Sequence, residues 1–98
     1  MARFEINVYS KDGKSKTHKR DFFPIALYLR WQQAQEKVEK SGYVSDAEMF
    51  DDLQPLFLET FPEMTEEEYR TGVDSHEAMQ FFSTVLDIAN GFTPQKNP

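Results

Sequence analysis

The stretch from Pro24 to Gly42, PIALYLRWQQAQEKVEKSG, limits the possible fold more than any other. Its pattern predicts the longest helix of the chain. Pro24 stands where a first helical residue belongs, because a proline lacks only an N–H that would have no partner there. Lys37 and Lys40 fall in the last turn, where cations suit the negative end of the helix dipole, and Gly42 can close the helix in a left-handed conformation. On a helical wheel Leu27, Trp31, Ala34 and Val38 form one apolar stripe, the signature of a core-facing side. Ile25 and Leu29 fall on nearly the opposite side. A helix with a second apolar patch must pack it against another part of the chain or offer it to a partner.

Before this helix lie a strand pattern and a turn. Phe4, Ile6 and Val8 alternate through RFEINVY, as in a half-buried strand. Asp12-Gly13 follows, a strong signal for a two-residue hairpin turn. That turn sets Val8 opposite Thr17, Ile6 opposite Lys19 and Glu5 opposite Arg20. The returning strand, KSKTHKR, brings almost no apolar side chains, so the hairpin must bury one face of its first strand on the helices. His18 reads as a surface residue. Phe22 and Phe23 cannot both point into one core from a regular strand, so one packs inward and the other covers a seam or stays exposed.

Three helix starts are marked after Gly42. Ser45 with Glu48 forms a capping box, flanked by Val44 and Met49 at staple spacing. Phe50, Leu53, Phe57 and Phe61 continue as a stripe, widened by Met49, Leu56 and Leu58. Pro55 lies inside this run and predicts a kink or restart near Gln54. Thr65 with Glu68 repeats the box, with Met64 and Tyr69 at staple spacing, on a short helix closed by Gly72. Asp74 caps the last helix, where Ala78, Met79, Phe81, Phe82, Val85, Leu86, Ile88 and Ala89 cover more than half the circumference. Gly91 ends it, and residues 92–98 read as a flexible tail. The expected fold is α+β, mostly α: an N-terminal β-hairpin followed by about four helices, with residues 1–91 as one domain.

Charge is unevenly placed. Residues 1–20 hold six Lys and Arg against Glu5 and Asp12, whereas residues 21–98 hold five against fifteen acids. An acidic body argues against nucleic-acid binding. The basic head either complements the body, within the chain or between subunits, or is solvated charge. There is no cysteine, so neither a disulfide nor a thiolate metal site is available. The chain shows no signal-peptide pattern and no apolar run long enough to span a membrane.

The chemistry-bearing inventory is small. No nucleophile elbow, phosphate loop or dinucleotide glycine pattern is present. His76 sits in the first turn of the last helix, and Ser75 is adjacent to it rather than facing it. Asp51-Asp52 reads as a solvated helix face. Glu66, Glu67 and Glu68 point in different directions around a helix and lack the spacing of a calcium loop. The residues point to an interaction protein, with no enzyme activity, cofactor or metal expected.

The order of elements resembles that of the small tail assembly chaperones of long-tailed phages infecting Gram-positive bacteria. The likeness spans residues 3–92. A short hairpin leads through KTHKRDFFP into an apolar-faced helix, an acidic helix ends in FLETFPEMTEEEY, and a last apolar helix ends in IANGF. Its most telling piece is Gly72-Val73-Asp74-Ser75-His76-Glu77, similar to the family's glycine–aliphatic–aspartate cap. Pro55 and a longer Tyr69–Gly72 spacing depart from the pattern. The resemblance implies a non-enzymatic role: coating hydrophobic segments of the tape measure protein, helping to recruit tail tube protein, and acting in the host cytoplasm while being absent from the mature virion. It also implies self-association or homo-oligomers, and a longer frameshifted product diverging after Gly91. The surfaces expected to bind a partner are Phe22 or Phe23, Ile25, Leu29, and the last helix with Phe81 and Leu86, since amphipathic client helices dock on apolar surface. The alternative is an acidic inhibitor imitating the charge of DNA, motivated by residues 45–77, where Arg70 is the one Lys or Arg among eleven acids. A basic-hairpin nucleic-acid binder is weaker, because the second strand lacks interleaved aromatics.

Overall fold

The computed structural model describes residues 3–40 and 42–91. Strands β1 (Phe4–Tyr9) and β2 (Ser15–Arg20) form an antiparallel hairpin. Four helices follow: α1 (Ile25–Glu39), α2 (Asp46–Thr60), α3 (Glu66–Gly72) and α4 (Ser75–Ala89). The fold is α+β and mostly α. The expected flexible tail, 92–98, lies outside the described residues.

The hairpin turn has three residues, not two. Ser10 N–H donates to the Lys14 carbonyl at 2.9 Å and Gly13 N–H to the Ser10 carbonyl at 3.0 Å. Gly13 alone takes the left-handed position this loop requires, at φ +83°. The Asp12 carboxylate accepts from Lys14 N–H at 3.1 Å and from the Ser10 hydroxyl, fixing the loop. The extra residue moves the register by one: Phe4 faces Arg20, Ile6 faces His18 and Val8 faces Lys16. A slip of one exchanges the faces of a strand. Lys16, His18 and Arg20 therefore turn toward the helices, in place of the Thr17 and Lys19 expected there.

Helix α1 buries Leu27, Trp31 and Ala34, while Val38, expected in the same stripe, is exposed. Pro24 is the N-cap rather than the first helical residue, with an extended ψ of 151° and its carbonyl accepting from Tyr28 N–H at 3.0 Å. Gly42 is not left-handed. Its N–H donates to the Lys37 carbonyl at 2.8 Å, and an added Cβ would lie 2.6 Å from Lys37 Cγ. Closeness to that side chain, not backbone handedness, is what glycine supplies here.

Helix α2 runs through Pro55 as one element, so it does not restart there. Pro55 is exposed, which leaves the carbonyl one turn earlier facing solvent rather than orphaned in the core. Ser45 accepts from Glu48 N–H at 3.2 Å, and Thr65 with Glu68 forms a complete capping box. Asp74 accepts from Glu77 N–H at 3.1 Å, and Gly91 follows α4 at φ +89°. Gly72 is the last residue of α3 and is buried against β1. A Cβ there would lie 2.6 Å from Val8 Cγ1 and 3.0 Å from the Tyr9 carbonyl oxygen.

The core is centred on Trp31, which is fully buried. Its ring meets Phe57 edge-on at 5.2 Å and lies 5.5 Å from Phe81 and 6.0 Å from Phe82. Its indole N–H donates to Thr60 Oγ1 at 3.0 Å, and Thr60 in turn donates to the Leu56 carbonyl at 2.6 Å. A buried polar pair satisfied in this way costs little and fixes which rotamer the indole takes.

Candidate functional site

The residues between the hairpin and α1 divide by which way they turn. Phe23 stacks on Phe4 with ring centroids 4.7 Å apart and joins the core. Phe22 turns outward and is 66% exposed. Ile25, at the start of α1, is 79% exposed, and Leu29, one turn on along the same face, is 48% exposed. The hairpin does not cover them. Phe22, Ile25 and Leu29 thus form an uncovered apolar end to α1, of the kind that marks a docking surface when it is contiguous.

Arg20 holds this end in place. Its Nε donates to the Phe22 carbonyl at 2.7 Å, and its guanidinium lies over the Phe22 ring, 4.7 Å from the centroid. Nη1 donates to the carbonyls of Glu59 at 2.9 Å and Thr60 at 3.2 Å, closing the C-terminus of α2. Arg3 does the same for α4, with Nη2 donating to Ile88 at 2.7 Å and Ala89 at 3.3 Å. Neither helix has a basic residue in its own last turn. The hairpin supplies the cations that both helix dipoles lack, so part of the basic head is spent within the chain.

The other partner candidates lie elsewhere. Phe81, expected on a docking arc, is buried among Trp31, Phe57 and Phe61. Leu86 is half-buried and packed on the core. The excess apolar arc of α4 is absorbed by α1 and β1, both of which pack against it.

A second cluster ties β2 to α3. His18, read from the sequence as a surface residue, is buried at 8% exposure. Its Nε2 lies 3.1 Å from Glu68 Oε1, while Lys16 Nζ lies 2.5 Å from Glu68 Oε2. Glu68 also accepts the Thr65 N–H at 3.1 Å. Hydrogen bonding from Lys16, helped by Thr65 and His18, outweighs desolvation and holds the Glu68 carboxyl down to about 2. The cluster clips β2 to α3. His76 is exposed.

Many carboxylates of residues 45–77 are engaged in the same manner. Asp51 pairs with Arg70 at 2.5 Å, and Glu59 pairs with Arg30. Asp52 accepts the Tyr43 hydroxyl at 2.5 Å, with Lys37 Nζ 3.9 Å away. Burial, then the bond to Asp52, raises the Tyr43 hydroxyl well above its ordinary range. Glu77 accepts from Asn7 at 3.1 Å and from the Tyr9 hydroxyl at 2.6 Å. Among the described residues no group of three His, Asp or Glu is placed to hold a metal ion, and no helix is long and apolar enough to cross a membrane. Set against family models, curated proteins and solved structures, the chain matches none.

Proposed function

We propose that this protein is a non-enzymatic phage tail assembly chaperone whose Phe22–Ile25–Leu29 end of α1 receives amphipathic segments of a tape measure protein. In this reading it keeps that client soluble in the host cytoplasm, helps to bring tail tube protein to it, and leaves before the virion is complete. The observation that carries the reading is the exposure of Ile25 and Leu29 on a helix whose other face buries Leu27, Trp31 and Ala34 in the core. A second observation supports it. Helix α1 has no side-chain cap and no acid in its first turn, whereas α2, α3 and α4 have both. An isoleucine at the first helical position forgoes the dipole stabilisation an acid would give there, and such local losses are expected where a residue serves a partner. The charge-mimic reading draws less support, because Asp51, Glu59, Glu68 and Glu77 are held by groups of this same chain.

The test is co-expression with a tape measure protein encoded beside this chain. The soluble fraction of the client should rise with the wild-type protein and fall back with Ile25→Asp/Leu29→Asp. A client no more soluble with the wild-type chain than without it removes the proposal.

A further inference from the structure

The hairpin has a side that the apolar patch leaves unused. Its sheet has two strands, so each strand has one edge outside the ladder. In an antiparallel pair, alternate residues turn N–H and C=O toward the partner and the others turn them away. The bond from Ser10 N–H to the Lys14 carbonyl, with the register, makes Val8:Lys16, Ile6:His18 and Phe4:Arg20 the bonded pairs. The outward groups are those of Glu5, Asn7 and Tyr9 on β1, and of Ser15, Thr17 and Lys19 on β2.

The two edges differ. At β1, Gly72 crowds the Tyr9 carbonyl, and Glu77 bonds the side chains of Asn7 and Tyr9. At β2, Ser15, Thr17 and Lys19 are exposed, and among the described residues no hydrogen bond reaches their outward backbone groups. A row of unpaired groups is a template for another strand. Charge decides which strand. Residues 14–20 contain no acid, and Lys14 and Lys19 are exposed and belong to no ion pair among the described residues. A second copy of the chain is a poor occupant: β2 against β2 sets lysines together, which is unfavourable, and the edge of β1 is obstructed.

We propose that the free edge of β2 is a docking site for an extended acidic segment of another protein, added as a third strand. Its backbone bonds to Ser15, Thr17 and Lys19, and its carboxylates meet Lys14 and Lys19. This goes beyond the client-binding role of α1 and uses a different face.

Lys14 and Lys19 stand on opposite faces of the hairpin, so the probe is the heptapeptide Glu-Glu-Val-Thr-Val-Glu-Glu, which carries carboxylates on both faces, with Lys-Lys-Val-Thr-Val-Lys-Lys as control, titrated into the intact isotope-labelled protein. The amide signals of Ser15, Thr17 and Lys19 should shift saturably and their hydrogen exchange should slow, with the acidic peptide bound at least about tenfold tighter than the basic one. Ser15→Pro deletes one outward N–H at the first residue of an edge strand, where proline is tolerated, and should weaken binding about threefold to tenfold. Lys14→Glu/Lys19→Glu leaves the backbone intact and should abolish the preference for the acidic peptide. The proposal is overturned by an absence of saturable shifts, by shifts without slowed exchange at those three amides, or by charge reversal that leaves the preference unchanged.

Discussion

His18 and Glu68, fifty residues apart in sequence, meet at 3.1 Å between Nε2 and Oε1, and a single residue in the hairpin loop is what brings them together. Had Asp12-Gly13 been the whole turn, Lys19 would have faced Ile6 and the imidazole would have pointed to solvent. The carboxylate they share with Lys16 also closes the capping box of α3. Replacing Glu68 with Gln removes the charge that Lys16 and His18 face and should cost about 2 kcal/mol near neutral pH.

The pH dependence of that cost has a defined sign. Glu68 ordinarily titrates at 4.5 and is held down to about 2 in the fold. Between those values the unfolded chain binds the proton and the folded chain does not, so stability falls as pH falls. The contribution is complete above about pH 4.5 and lost toward pH 2. Urea titrations of wild type and Glu68→Gln at several pH values should therefore converge as the medium is acidified through this window. A difference that stays constant from neutral pH to pH 2 contradicts the assignment.

Two glycines predict the same substitution with different costs. Gly13→Ala meets no atom within 4 Å but must hold φ at +83°, a strain of about 1 kcal/mol. Gly72→Ala places a Cβ 2.6 Å from Val8 Cγ1 and 3.0 Å from a backbone oxygen. Overpacking of this kind costs on the order of 1–3 kcal/mol, and because the backbone of β1 cannot yield as a flexible side chain would, the upper part of that range is expected. Denaturation midpoints should rank wild type, Gly13→Ala, Gly72→Ala in falling order, and the reverse order of the two variants would show that α3 does not press on β1.

Thr60→Val tests the polar pair at the centre of the core. The substitution keeps the volume and removes the acceptor of the Trp31 indole N–H, with both residues fully buried. An orphaned buried donor costs about 1–3 kcal/mol. Since Trp31 is the only tryptophan, its fluorescence reports both the unfolding midpoint and the changed surroundings of the indole. A midpoint unchanged within error would mean that the bond contributes nothing.

How far the sequence could be read follows from the range of each signal. The capping residues Ser45, Thr65 and Asp74 act within three residues of themselves, and all three helix starts were legible. The aromatic stripe from Leu53 to Phe61 repeats at helical spacing and was legible too. The helix does not restart at Pro55 because an exposed proline leaves the unpaired carbonyl to water, and exposure is not a local property. Asp-Gly serves both a two-residue and a three-residue loop, so the pair alone does not set the register of the hairpin. The deciding contacts, Ser10 to Lys14 and His18 to Glu68, depend on the register they help to set. The exposed end of α1 was legible as an alternative, but whether the hairpin covers it is a question of packing angle that periodicity does not contain.

That end of α1 gives the sharpest separation between folding and binding. Ile25 is the first residue of the helix and is 79% exposed, while Leu27, two residues on, is buried. Leu27→Ala should cost about 2–5 kcal/mol by leaving a cavity beside Trp31 and its neighbours. Ile25→Asp should lie within about 0.5 kcal/mol of wild type. It can even gain stability, because α1 has neither a side-chain cap nor an acid in its first turn, and a carboxylate there faces the positive end of the dipole. Adding Leu29→Asp keeps the change on the same exposed face. Thermal denaturation followed by circular dichroism should thus give the Ile25→Asp/Leu29→Asp protein a midpoint equal to or slightly above that of wild type, with the proposed client-solubilising effect lost. A collapsed midpoint in this variant would mean that the two residues belong to the core, and the docking role proposed for α1 would fall with it.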